Sequence, residues 1–172
     1  MFVYANQMNY QAKIPTPFGM LGIRCDIEAL IGIDFLEQDA SPQLPSQAFA
    51  REACIQLQAY FIDSNFNFNL SLKLNGTAHQ TKVWQAMSAI PSGQTRNYGE
   101  LAKLLASCPR AVGQACGANP IPIVIPCHRV VSKSGIGGFI HQRKGAALDI
   151  KRWLLAHEKL SNRRDLWVTL VI

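Results

Sequence analysis

The 172-residue sequence predicts an α+β fold in two parts: a small N-terminal α/β lobe with an antiparallel sheet over residues 1–75, then a mostly helical, winged helix-turn-helix-like domain over 76–172. Three observations carry this. Short apolar runs separated by turn residues occupy the first forty positions and read as paired strands. Helical spacing or helix-start residues mark five later segments. The charge divides at the same boundary: residues 1–75 hold four Lys/Arg against seven Asp/Glu, whereas 76–172 hold thirteen against four.

Taken in order, Thr16-Pro17-Phe18-Gly19 is a turn between two strands, with Met20 to Cys25 on its far side. A second apolar stretch runs from Ala29 to Leu36, and two prolines between Ser41 and Ser46 interrupt the pattern. Gln47 to Ile62 places Ala50, Cys54, Leu57 and Phe61 at helical spacing, so an amphipathic helix is expected. Phe66, Phe68, Leu70, Leu72 and Leu74 alternate with polar residues, as in a half-buried strand or an extended linker lying on a core. Asn75-Gly76 is the expected boundary. Thr77 then caps a helix to about Ala89 with Val83, Trp84, Met87 and Ile90 inward, and Ile90-Pro91-Ser92-Gly93 ends it. Asn97 with Glu100 forms a capping box for a short helix from Tyr98 to about Leu105. Pro109 suits the first turn of another helix and Gly117 its end, which together make a helix-turn-helix. An amphipathic helix with Ile150, Trp153, Leu154 and His157 inward closes the domain. The β-prone tail Leu166 to Ile172 is expected to add a strand or to mediate association.

Composition narrows the function. No apolar run approaches the roughly 20 residues of a membrane span, and no basic-then-apolar leader opens the chain, so a soluble cytoplasmic protein without membrane partners is expected. Five scattered cysteines (25, 54, 108, 116, 127) without a C-x-x-C pair argue against a disulfide framework or zinc ribbon and for reduced thiols. The basic second part points to a polyanion, although a solubilising basic face has the same charge. The helix from Pro109 to Gly117 is nearly all small residues, with Gln114 its one candidate for reading base edges. Such a helix either packs tightly in a core or enters a minor groove about 6 Å wide.

Pro126-Cys127-His128-Arg129-Val130 is the chemical centre of the sequence. It follows the apolar run Ile121 to Ile125, read as a buried strand that ends at Pro126. A cysteine beside a base and a cation is a candidate activated thiol, because the thiolate is the nucleophile. The whole stretch Arg110 to Val131 resembles the active-site region of the O6-alkylguanine-DNA alkyltransferases. The resemblance extends to Gly76-Thr77, Val83-Trp84-Gln85-Ala86, Ile90-Pro91-Ser92-Gly93, Tyr98-Gly99-Glu100-Leu101-Ala102 and Lys151-Arg152-Trp153-Leu154-Leu155-Ala156-His157-Glu158. It covers Gly76 to Glu158 strongly and the N-terminal half loosely.

The resemblance implies single-turnover, irreversible transfer of an alkyl group from O6 of guanine, and from O4 of thymine, to Cys127 after the base is rotated out of double-stranded DNA. A stacked base cannot reach a buried thiol, so extrusion is physically required. It implies that His128 deprotonates Cys127 through a water, that Glu158 fixes the imidazole tautomer, and that Tyr98 crowds a phosphate and protonates the leaving guanine. Asn119 pins the turn around the nucleophile. Arg110 replaces the extruded nucleotide, and Gly99, Ala111, Gly113, Gln114 and Lys133 join it and Tyr98 against the minor groove. Val130, Gly138, Phe139 and Cys116 form the base pocket, with Cys116 also a second, non-catalytic thiol. Arg129 is structural or phosphate-facing. A monomer with neither cofactor nor metal is implied.

Departures from the family pattern are visible. Phe139 stands where Tyr is common, the segment from Ile140 to Asp149 is longer than in shorter relatives, the Tyr98-to-Arg110 spacing is shorter by about two residues, and His79 replaces an aromatic. Three other classes compete with alkyl transfer: a non-enzymatic sensor of alkylated DNA, a Cys-His thiol hydrolase and a helix-turn-helix regulator. Cys127 argues against the first, the small-residue helix and basic domain against the second, and the idle Pro-Cys-His-Arg motif against the third.

Overall fold

The structure, a computed structural model, describes residues 9–37 and 39–168. The chain divides into two compact units. One comprises residues 1–75 with Pro120–Pro122, and the other 76–119 with 123–172. The second unit is therefore interrupted at residues 120–122, where a continuous 76–172 was expected. Pro120 belongs with the first, where its carbonyl accepts from the Ile33 N–H at 3.0 Å.

In the first unit, strands β1 (Ala12–Thr16), β2 (Gly19–Cys25) and β3 (Leu30–Leu36) form an antiparallel meander in that order. Helix α1 (Ala48–Ile62) lies on it through Ala50, Ala53, Cys54, Leu57 and Tyr60. These meet buried Ile14, Leu21, Ile23 and Leu30, each aliphatic side chain contributing about 1.5–3 kcal/mol by leaving water. The alternating segment 66–74 is an extended strip with a single bridge, Leu72 to Leu30, so it is a linker on the core rather than a full strand. Gln56 of α1 anchors it, accepting from the Asn69 N–H and donating to the Asn69 carbonyl.

The second unit opens with α2 (Ala78–Ser88), capped by Thr77 and Gln80 in a reciprocal box. Val83, Trp84 and Met87 face inward, and the Trp84 indole donates to the Ala115 carbonyl at 2.9 Å. A two-residue parallel pairing of β4 (Arg96–Asn97) with β5 (Val130–Val131) brings the capping residue Asn97 next to the chain leaving the nucleophile. Helix α3 (Tyr98–Leu104) starts from the Asn97–Glu100 box, and α4 (Pro109–Gly117) starts at its proline. The tight connection holds Ala106 at φ 48°.

Two expectations fail here. Ile121 to Ile125 is not a strand. Prolines at 120, 122 and 126 remove ladder donors, and Ile123 turns through φ 77°. Nor is the tail a strand as far as it is described: helix α5 runs Ala146–Val168, extending the charged, helix-favouring stretch after Glu158, while residues 169–172 lie outside the described part.

Candidate active site

Cys127 opens a 3₁₀ turn, Cys127–Arg129, directly after Pro126. It is 3% exposed. Burial raises its thiol pKa, opposed by a hydrogen bond from Asn119, the Lys151 ammonium and the backbone N–H groups of Cys127 and His128. Asn119 also donates to the Ile125 carbonyl at 2.8 Å, closing the loop that carries the cysteine.

His128 is fully buried, and its Nε2 lies 2.7 Å from Glu158 Oε1. Glu158 also accepts from Arg129 Nε and Nη2 at 2.9–3.2 Å and from the Gly93 N–H at 3.1 Å. Burial alone would raise the Glu158 carboxyl, but His128 and Arg129 outweigh it and hold it down at about 2. Burial lowers the His128 pKa against the pull of Glu158, so the imidazole is neutral at pH 7. An ionised acceptor at Nε2 places the ring proton there. Nδ1 then carries the free lone pair, and it is buried without a protein partner.

This cluster makes the fold acid-sensitive in a defined direction. The unfolded chain protonates His128 near 6.5, which the folded state resists, so stability declines as pH falls below that value. Glu158 adds a second contribution to stability, present in full above its usual 4.5 and lost as pH falls toward 2. Thermal melts from pH 7.5 to 3 are expected to show Tm falling from about pH 6.5 downward. A profile flat between pH 7 and 5 would contradict a buried neutral imidazole.

Sequence reasoning placed Glu158 near a helix end with His157 inward. Instead it lies well inside α5, wholly buried, while His157 is half-buried and stacks on Trp153 at 4.9 Å. Arg129 turns inward rather than toward phosphate, also donating to the Ile90 carbonyl. Lys151 was missed. It is fully buried, donates to the Val130 carbonyl at 2.6 Å and the Gly138 carbonyl at 2.8 Å, and burial lowers its pKa to about 8 against the attraction of Cys127 and Cys116. Its signal was available: Lys151 and Glu158 are seven residues apart, two turns on one helix face.

Cys127 opens onto a half-open cavity of about 790 Å³. Pro109, Arg110, Gly113, Gln114, Cys116 and Gly117 of α4 form one wall. Tyr98, Ser132, Gly137, Gly138 and the segment from Phe139 to Arg143 form the rest. The Tyr98 hydroxyl donates to the Gly138 carbonyl at 3.3 Å, and its pKa is pushed to about 12 by burial and by the thiols of Cys116 and Cys127. Gly137, at φ 73°, lies so close to the Tyr98 ring that a Cβ would come within 3.0 Å of it. Cys116 packs its sulfur 3.4 Å from Met87 Sδ. His79 is held by Ser107 at 2.9 Å.

Among the expected pocket residues, Val130 is not on the wall: its side chain is fully buried, and its carbonyl accepts from Lys151. Gly99 and Ala111, on α3 and α4, do not line the cavity, and Lys133 is exposed on the turn bridged by Ser132 and Gly135. Asn119, His128 and Glu158 lie behind Cys127 rather than on the wall. Among the described residues no cluster of His, Cys, Asp or Glu is placed to hold a metal, and no helix is long and apolar enough to cross a membrane.

A helix-turn-helix set over a buried cysteine, itself backed by a histidine–glutamate pair, defines a class of DNA-acting proteins with a cysteine nucleophile. Comparison with known proteins agrees. Residues 78–160 match the family model described as 6-O-methylguanine DNA methyltransferase, DNA binding domain. A methylated-DNA–protein-cysteine methyltransferase of Methanosarcina acetivorans is 38% identical over 157 residues, covering 87% of this chain and 97% of that protein. One from Mycobacterium bovis is 37% identical, covering 92% and 98%. The crystal structure of the Mycobacterium tuberculosis O6-methylguanine methyltransferase matches with a TM-score of 0.74 at 36% identity, covering 87% and 92%. That of Mycobacterium tuberculosis OGT in complex with DNA matches at 0.73 and 37%, with the same coverage. The chain belongs to the methylated-DNA–protein-cysteine methyltransferase family.

Proposed function

We propose that Cys127 is the acceptor of the alkyl group, taken from O6 of a guanine rotated out of duplex DNA into the cavity beneath α4. Membership of this family makes the chain a DNA repair protein that binds DNA and transfers an alkyl group to a cysteine. The observation that carries the assignment of Cys127 is the relay behind it: a neutral His128 with its Nδ1 lone pair free and its Nε2–H fixed by the Glu158 carboxylate.

In the reaction, a water passes the Cys127 proton to His128 Nδ1 as the sulfur attacks the alkyl carbon. The S–C bond forms in line as the C–O6 bond breaks. Tyr98, kept protonated by its raised pKa, gives its proton to the departing guanine, and the imidazolium proton later restores the phenol. The sum is thiol plus alkylguanine to thioether plus guanine. A thioether is stable, so each chain acts once. Small residues let α4 approach a minor groove, where Arg110 fills the vacated place in the stack with Gly99, Ala111, Gly113, Gln114 and Lys133 alongside. Phe139 offers its ring to the base. O4-alkylthymine suits the same pocket chemistry. The protein acts as a monomer, and its five free cysteines suit the reducing cytoplasm.

The test is intact-protein and peptide mass spectrometry after mixing with a duplex containing O6-methylguanine. One added methyl group on the Cys127 peptide, stopping at one per chain, is expected. Product beyond that ratio would indicate a turnover hydrolase, and an unlabelled chain a sensor or regulator.

A further inference from the structure

We infer that Arg143, carried on a hairpin arm facing α4 across the cleft, is a phosphate ligand that grips the DNA strand beside the extruded nucleotide. The inference rests on the proposed reaction site and adds to it a second gripping element outside the helix-turn-helix.

The arm is built against local preference. Phe139 and Gln142 exchange N–H···O bonds at 2.8 Å each, closing a two-residue turn whose central residues Ile140 and His141 have φ 43° and 61°. That is the primed-turn geometry usually taken by Asn-Gly. Holding a β-branched residue there costs on the order of 1 kcal/mol or more, and such strain persists only where the surroundings impose it. The surroundings are visible: the His141 ring occupies the space a side chain at Gly117 would need, so the arm reaches across to the end of α4.

This seating aims the next cation into the cleft. A Cβ on Gly138 would lie 3.8 Å from Arg143 Cγ, so the arginine stem runs over Gly138, the residue whose carbonyl receives the Tyr98 hydroxyl. Its charge acts on Tyr98, lowering the phenol pKa slightly against burial. Arg143 and Arg110 thus line the same cavity from its two walls. Among the described residues neither has an acidic partner within ion-pair distance, whereas Arg24, Arg129 and Arg152 are neutralised by Asp34, Glu158 and Asp149. With Arg110 assigned to the vacated stack, the uncompensated Arg143 guanidinium at the same opening is matched to a phosphodiester, which accepts forked donors and releases counterions on binding.

The test uses the full chain and a duplex bearing one O6-methylguanine, with binding followed by fluorescence anisotropy across salt concentrations. Arg143→Ala is expected to weaken binding several-fold and to reduce the slope of log K against log salt by about 1, while Arg143→Lys keeps the slope. Single-turnover transfer should show the half-saturating DNA concentration rising by the same factor. A wild-type slope and half-saturation in Arg143→Ala overturns the inference, as does a variant that loses only the maximal rate. Failure of the unsubstituted chain to label Cys127 would sink the proposed reaction instead, and the salt slopes would still decide Arg143.

Discussion

Glu158→Gln is expected to destabilise the protein by about 3–5 kcal/mol and to slow alkyl transfer by two to four orders of magnitude. Four donors converge on the two Glu158 oxygens: the His128 Nε2–H, two Arg129 N–H groups and the Gly93 N–H. An amide has one oxygen, so its NH₂ must face one of those donors, and the Arg129 guanidinium loses its counter-charge in the interior. Total stabilities of about 5–15 kcal/mol leave little margin for this. The imidazole also loses the anion that assigns its tautomer. Urea melts and single-turnover rates on O6-methylguanine duplex measure the two effects. The double variant Glu158→Gln/Arg129→Met separates them: stability should largely return, because removing both ions of a buried pair is far cheaper than removing one, but the rate should not. Rate recovery along with stability would show that Glu158 only holds the fold.

Lys151→Met is expected to shift the pH dependence of transfer upward and to slow the reaction at pH 7 about tenfold for each unit by which the Cys127 thiol rises. Burial already raises that thiol, and the Lys151 ammonium opposes it. The lysine is held at the site by the Val130 and Gly138 carbonyls, which a thioether side chain cannot satisfy. Because its own pKa is lowered to about 8, the ammonium is present at neutral pH and is lost as pH climbs through that value. A pH–rate series for both proteins is the measurement. Superimposable profiles would mean that Lys151 does no more than tie two backbone turns together.

Much of this was legible before any coordinates. The Thr77 cap, the Asn97–Glu100 box and the proline opening α4 are short local signals, and each helix starts where they put it. The strands of the meander follow from short apolar runs and a Pro-containing turn. The pentapeptide at Cys127 named the nucleophile candidate outright. Other features misled. Ile121 to Ile125 has a strand's composition, but its prolines cannot donate to a ladder. Leu166 to Val168 has β propensity, but a helix already propagating through Glu158 carries on over it. Val130 was expected on the pocket wall and lies behind it.

By itself, the sequence determined the order of the main elements, the starts of α2, α3 and α4 and the candidate nucleophile, because these depend on near neighbours along the chain. Tertiary structure alone decided which charges are buried and which stay open: Arg129 and Glu158 closed on each other, Lys151 tied to two carbonyls, Arg110 and Arg143 left facing one cleft. Sequence spacing cannot report this. A charge's state depends on the dielectric and partners around it, and those come from residues 13 to 65 positions away.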